Sequence, residues 1–299
     1  MPEFFSLSTD RRTFIRQASL AGVAVVVSGC STTRQSRSAG GELHLALLSD
    51  THIPSDPNNE YRGFKPWSNL QRVIPGVVDS RPAGVLLNGD AARLAGLTED
   101  YAQLRHLLAP VAAVSPVYIG MGNHDDRANF LKAFSDRPGL SAGVQGKHVT
   151  ILDHPVARIV QLDSLLYVDK VAGLLGKAQR AWLASFLASP DTRPVVLVVH
   201  HTLGDGDGDL LDVNQLFDIV RPHRKVKAIF YGHSHVWAFG ERDGVRLINL
   251  PAVGYNFRDV DPVGWVESRF RPDGVELTLR SIGGNQADNG KSTQMTWLR

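Results

Sequence analysis

A single cysteine, Cys30, stands among 299 residues. No intramolecular disulfide can form, so the fold must rest on its core or on metals. Excess charge is also scarce, with a formal net charge of +2. Residues 1–30 carry one of those charges, through Arg11, Arg12 and Arg16 against Glu3 and Asp10, and no long basic stripe follows. Nucleic acid is therefore not expected as a partner, because binding the phosphate backbone needs a positive face. No protein partner is indicated either. The apolar run near the N-terminus, from Ala18 to Val27, falls short of the ~20 residues a membrane-spanning helix needs. There is no internal repeat. What is present is 43% hydrophobic residues, enough for a full core in one large domain or two small ones.

The N-terminus reads as an address. Asp10-Arg11-Arg12-Thr13-Phe14-Ile15-Arg16 precedes the apolar run, which ends in Val27-Ser28-Gly29-Cys30. The paired arginines resemble a twin-arginine export signal. The four residues ending at Cys30 resemble a lipobox, in which the cysteine is lipidated. Residues 31–41, small and polar and ending in glycine, read as a flexible tether. The expectation is an exported lipoprotein, membrane-anchored and facing the periplasm or exterior, with its catalytic domain over residues 42–299.

Beyond the tether, apolar runs recur and each ends in polar residues. His44–Leu48 runs into SDTH, Gly84–Leu87 into NGD and Val117–Met121 into GNHD; Val195–Val199 runs into HH and Val226–Tyr231 into GHSH. Short apolar runs bounded by Gly and Asp predict buried strands. Helical spacing over Trp67–Val78, Glu99–Leu108, Leu175–Leu187 and Val213–Val220 alternates with them and predicts an α/β layered domain. Strand-like segments 245–250, 264–270 and 275–279 predict a further, more antiparallel sheet. The polar tail from Gly283 is expected to be loosely held.

Every polar block falls at the C-terminal end of a predicted strand, where open α/β sheets bind ligands. Asp-x-His and His-x-His place two donors on one side of an extended chain. Oxygen and nitrogen donors without thiolate suit Mn, Fe, Zn or Mg rather than a closed structural zinc site. Asp50, His52, Asp90, Asn123, His200, His233 and His235 make seven candidates. That is too many for one tetrahedral ion and suits two ions sharing a carboxylate.

The ordered blocks DTH, GDxxR, GNHD, HH and GHSH resemble those of the calcineurin-like metallophosphoesterases, from about Leu43 to Tyr255. Asp163, and Gln179 with Trp182 and Leu183, are weaker echoes, and the likeness to cyclic-nucleotide phosphodiesterases is one of motifs. The resemblance implies a four-layer α/β/β/α sandwich, a single catalytic domain, with a dinuclear site on one edge. By it, Asp50, His52, Asp90 and His235 hold one metal and Asp90, Asn123, His200 and His233 the other. Arg93 stands where purple acid phosphatases carry a metal-binding tyrosine, so no iron–tyrosinate colour is expected. Thr202 follows the histidine pair where many relatives have proline. His200, nearer the strand, is taken as the ligand and His201 as a supporting or substrate-side group.

The implied reaction is hydrolysis of a small phosphoester by a hydroxide held between the ions, with His124 as general acid. Asp125 is expected to orient and charge that histidine, with Asp126 and Arg127 as the solvated start of the next segment. Arg62, in the loop 55–67, and Arg93 are possible substrate contacts. The run Asp205–Asp209 lacks the glycine and glutamate of a calcium loop and reads as a solvated rim. Retention of His124 favours phosphodiesters. The alternatives are an exported phosphomonoesterase or nucleotidase, and a catalytically silent metal-binding lipoprotein.

Overall fold

The computed structural model describes residues 41–136 and 138–299. The paired arginines, Cys30 and all of the tether before Gly41 lie outside the described residues. Alternation of apolar side chains decides the layering. Leu43, Leu45 and Leu47 of β1 (Leu43–Leu48) face one way, and Ala46 and Leu48 face the other. The same two-residue period splits β2 (Gly84–Leu87), with Leu86 on one side and Val85 and Leu87 on the other. In β7 (Val195–Val198), Val196 and Val198 oppose Val195 and Leu197. Strands apolar on both faces must be covered on both.

Two sheets result. The first runs β13 (Ser292–Thr296), β12 (Gly274–Gly284), β11 (Pro262–Arg271), β1, β2 and β3 (Val117–Ile119). The second runs β4 (Leu140–Ser141), β5 (Thr150–Asp153), β6 (Arg158–Gln161), β7, β8 (Val226–Tyr231), β10 (Val245–Asn249) and β9 (Ala238–Arg242). Their inner faces share one core containing Leu45, Leu86, Val196, Phe230 and Val266. The helices α1 (Pro66–Ser80), α2 (Thr98–Ala112) and α3 (Arg127–Ala133) cover the first sheet through Leu70, Leu104 and Phe130. The helices α4 (Gly176–Leu187) and α5 (Val213–Val220) cover the second through Leu183 and Phe217. Each such side chain, buried whole, contributes about 1.5–3 kcal/mol of transfer free energy. The order is α/β/β/α, the four-layer sandwich.

Two expectations need correction. The C-terminal strands do not build a sheet of their own. β11, β12 and β13 extend the first sheet antiparallel to β1, while β10 joins the second sheet parallel to β8. Nor is the tail loose: β13 pairs along β12, and Arg299 donates to the carbonyls of Val220, Arg221, His223, Val226 and Asp243. Its lateral position on an edge left no apolar period for a sequence reading to find.

β1, β2 and β3 are parallel, as are β6, β7, β8 and β10. Their C-terminal ends deliver residues 49–52, 88–90, 120–125, 199–202, 232–235 and 250–257 to one edge of the sandwich.

Candidate metal centre

Asp50, His52, Asp90, Asn123, His200 and His235 are buried, each no more than 2% exposed. His233, half-buried, lies beside His200. Asp90 occupies the middle. Its Oδ2 is 3.6 Å from His52 Nε2 and 3.3 Å from His200 Nε2. On one side of it Asp50, His52 and His235 bring donor atoms within 4.8 Å of one another, and on the other Asp90, His200 and His233 do so. Asp50 Oδ1 stands 3.4 Å from His235 Nε2. Six of the seven candidates therefore converge, and a third group, His52, Asp90 and His124, also brings its donor atoms within 4.8 Å, so that Asp90 is common to two groups.

Hydrogen bonds aim the donors. His200 Nδ1 pairs with the Asn88 carbonyl at 2.8 Å, His235 Nδ1 with the Tyr255 carbonyl at 2.6 Å and His52 Nδ1 with the Arg93 carbonyl at 3.3 Å. A carbonyl accepts only from N–H, so Nδ1 carries a proton in each ring and Nε2 is the atom turned toward the site. The consequence is electrostatic. His52 Nε2 and His235 Nε2 meet at 3.1 Å, and two lone pairs at that distance repel. Asn123 Oδ1 and His200 Nε2 are buried with no hydrogen-bond partner, an arrangement that costs about 1–3 kcal/mol per atom. Cations would satisfy these donors, and the donor set fits them.

The backbone confirms that the placement is imposed. Asp50, His52, Asp90, His233 and His235 all have positive φ, between 46° and 69°. The two-residue spacing therefore works through left-handed turns, not through the extended chain expected. Such residues carry strain that the surroundings must hold. Gly122 allows close approach: a Cβ there would overlap Asp90 Oδ1.

Electrostatics follow from burial. The carboxyl of Asp50 is pushed up by burial, but His200 and His235 outweigh that and hold it below the usual range. Burial pushes His52 down to about 3 and His233 to about 4. Burial also lowers His200, yet the Asp90 and Asp50 carboxylates carry it up to about 10. His201 is driven down by burial and by His200.

Second-tier candidates separate. His201 is fully buried, its Nδ1 2.7 Å from Ser164 Oγ, and Gly173 leaves room for its ring. It backs His233, with ring centroids 4.9 Å apart, and it does not reach the solvent side. Arg62 spends Nε and Nη2 on the carbonyls of Asn256 and Phe257. Arg93 lies over Tyr61 and Tyr255, with Nε on Asn59.

His124 is on the open side of the site, its ring 5.3 Å from that of His52 and its Nδ1 2.9 Å from the Leu94 carbonyl. Its backbone N–H donates to Asp90 Oδ1 at 2.9 Å. Asp125 does not serve it. That carboxylate is buried and accepts from Gly122, Ala91 and Ala92 N–H and from Tyr101 Oη. It ties together the loops after β2 and β3. The carboxylate beside His124 is Asp169, with Oδ1 3.5 Å from Nδ1. Asp169 N donates to the Asn123 carbonyl at 2.7 Å. Nothing local in residues 162–175 marks Asp169, which reaches the site only through the path of the loop. Asp126 and Arg127 are not a solvated start. Asp126 caps α3 through Asn129 N–H, and Arg127 makes a two-bonded pair with buried Asp163. Tyr255 and Phe257 were also missed. They follow β10, another parallel strand ending at this edge, and that position was the available signal.

Comparison with known proteins agrees with the geometry. The calcineurin-like phosphoesterase family model matches residues 43–237. A probable cyclic nucleotide phosphodiesterase from Vesicomyosocius okutanii is 26% identical over 227 residues, covering 74% of this chain and 91% of that protein. A glycerophosphodiester phosphodiesterase from Enterobacter lignolyticus is 28% identical over 231 residues, covering 73% of this chain and 81% of that protein. The crystal structure of a dimetal phosphatase from Danio rerio shares the fold, with a TM-score of 0.68 over 85% of this chain and 99% of that one, at 14% identity.

Proposed function

This chain belongs to the calcineurin-like phosphoesterase family, and from that premise we propose that it hydrolyses phosphodiesters with His124 as the proton donor. The chain is a metal-dependent phosphoesterase; the diester preference, the pair of ions and the site roles are our reading. The observation that carries it is Asp90 Oδ2, set between His52 and His200 with a donor cluster on either side. Bound Mn, Fe, Zn or Mg ions would supply Lewis acidity and a nucleophile at neutral pH.

The residues do the remainder. Asp50, His52, Asp90 and His235 would hold one ion, and Asp90, Asn123, His200 and His233 the other. The His124 side chain, 18% exposed, is reachable from solvent where the donors other than half-buried His233 are not. The Leu94 carbonyl fixes its Nδ1 proton and leaves Nε2 for the leaving group. A proton donor matters most for a poor alkoxide leaving group, which is the diester case. Two relatives that differ in substrate, one acting on cyclic nucleotides by its name and one on glycerophosphodiesters, have the diester in common.

The test is hydrolysis by metal-loaded protein of aryl and alkyl diesters and of monoesters. Asp90→Ala should abolish turnover and bind less metal. His124→Ala should lower alkyl diester turnover by about a hundredfold or more, and aryl diester turnover less. Equal rates in both variants and wild type would sink the assignment, and faster monoester turnover would favour a phosphomonoesterase.

The same reading places the catalytic domain over residues 42–299, behind a twin-arginine signal and a lipidated Cys30. The order of Arg11-Arg12, the apolar run and Cys30 supports it. No helix among the described residues is long and apolar enough to cross a membrane. Cys30→Ser should release the exported protein from membranes, and fractionation of cells reads that out.

A further inference from the structure

Two histidine rings lean on neighbouring carbonyls of one short loop, the connection from β2 to α2. His52 Nδ1 pairs with the Arg93 carbonyl at 3.3 Å and His124 Nδ1 with the Leu94 carbonyl at 2.9 Å. The rings lie 5.3 Å apart, so a metal donor and the proton donor are aimed by two consecutive peptide units. Whatever holds those units decides where both rings point. The loop's larger side chains do not. Leu94 and Leu97 are each 48% exposed, and Ala91 and Ala92 at its start are what reaches the core.

Polar contacts hold it instead. At its start the Asp125 carboxylate accepts from Ala91 and Ala92 N–H. Toward its end Gly96 has a left-handed backbone, φ 61°, and packs so close that a Cβ would overlap Asp126 N. The Gly96 carbonyl accepts from Asn129 Nδ2 at 2.9 Å. Between these points, where the two carbonyls lie, the holding group is Asp100 in the first turn of α2. Its side chain accepts from the backbone N–H of Ser55, Leu97 and Arg93, and the residue is 3% exposed. Ser55 follows His52 out of β1, so one buried carboxylate grips the loops after β1 and β2 together. A carboxylate at a helix N-terminus gains from the dipole while exposed, and burial adds a desolvation cost. The bonds to both loops account for that burial.

We propose that Asp100 is a positioning residue for proton donation, fixing the Arg93 and Leu94 peptide units so that the Leu94 carbonyl holds the His124 ring with Nε2 toward the leaving group. This deepens the phosphodiesterase reading and rests on it through His124. Asp100 itself touches neither the substrate nor the metal donors, and it acts only through the loop.

The experiment compares kcat for glycerophosphoethanolamine, whose alkoxide needs the proton, with kcat for bis(p-nitrophenyl) phosphate, whose phenolate does not. Metal content is matched in every sample. In Asp100→Ala the alkyl rate should fall about tenfold, less than the roughly hundredfold that a 1 Å misplacement can cost. The aryl rate should fall less than about threefold, and KM for either ester should hold within about twofold. In a His124→Ala background the same substitution should change the alkyl rate less than about twofold, because residues that act as a unit are not additive. Asp100→Asn, which keeps an acceptor oxygen, should recover part of the loss, and it carries the comparison if the alanine variant does not fold. An equal fold loss in both backgrounds, or no loss in either, overturns the proposal. If wild type hydrolyses neither diester, or His124→Ala costs nothing, the reading of the reaction fails and the positioning is judged by proton resonance of zinc-loaded protein. The His124 Nδ1 proton should then be protected from exchange in wild type and lost in Asp100→Ala, with those of His200 and His235 kept. Its survival in Asp100→Ala, or its absence in wild type, overturns the positioning.

Discussion

Four histidines around the site, three buried and His233 half-buried, respond to acid and base in opposite senses, and the metal-free protein should show it. An unfolded histidine titrates near 6.5. Folded His52 and His233 are held down to about 3 and about 4 by burial, and His201 is lowered too. Between about pH 4 and 6.5 the unfolded chain therefore binds protons at these rings that the folded chain refuses, so stability falls as pH falls. Asp125 has the opposite sign, because burial and Asp90 raise it to about 6 and the folded form keeps a proton the unfolded form has lost. It offsets one of the three. His200, raised to about 10 by Asp90 and Asp50 against its burial, adds stability below 6.5 that is lost as pH rises towards 10. Urea unfolding of chelator-treated protein across pH 4–9 should give a maximum near neutrality, with a fall on each side. A flat profile, or one rising steadily to pH 9, contradicts this assignment of protons.

At the end of the second sheet away from the donors, where β8 begins, elements are held by side chains as much as by ladders. Arg299 donates to the carbonyls of Val220 and Arg221, which end α5, and to those of His223, Val226 and Asp243 around it. Helix-terminal carbonyls have no partner within the helix, and bonds from a charged donor contribute more than neutral ones. Arg299→Ala should cost about 2 kcal/mol in urea unfolding and hasten hydrogen exchange at the C-terminal turn of α5. A loss below about 0.5 kcal/mol would show that solvent replaces those bonds. The case illustrates what was legible. Strands with an apolar run and helices with a clear stripe could be read directly, and so could the seven donors, because strand ends converge by topology. β13 could not, since its exposed residues Ser292, Gln294 and Thr296 carry no core signal. The partner of His124 was misplaced for a related reason. Asp125 is adjacent in sequence, but its carboxylate is drawn to the backbone of Ala91, Ala92 and Gly122. Asp169 arrives through a loop whose path is set by Asp163, Arg127 and Lys147.

At the scale of the whole molecule, the metal donors form a seam between two halves. The first sheet delivers Asp50, His52, Asp90 and Asn123, while the second delivers His200, His233 and His235. Below them the sheets share an apolar core, and polar stitches cross at its upper end. Gln161 Nε2 donates to the Leu87 carbonyl at 2.8 Å, Asn88 Nδ2 to the Val199 carbonyl at 3.1 Å, and His200 Nδ1 pairs with the Asn88 carbonyl. Without cations this seam holds two buried carboxylates, opposed lone pairs and five left-handed ligand residues, all unfavourable. Cations held by residues of both halves would therefore stabilise the sandwich and not only serve the reaction. An ion at about a thousand times its Kd adds roughly 4 kcal/mol when it binds the folded form alone. Chelation should accordingly lower the thermal midpoint, and hydrogen exchange should quicken at the ends of β1, β2, β7 and β8 together, with α1 and α4 little changed. Asp90→Ala, which removes the shared ligand, should leave a midpoint that no longer responds to chelator. A chelator-insensitive midpoint in wild type, or loosening confined to one sheet, would show that the two halves hold together without the ions.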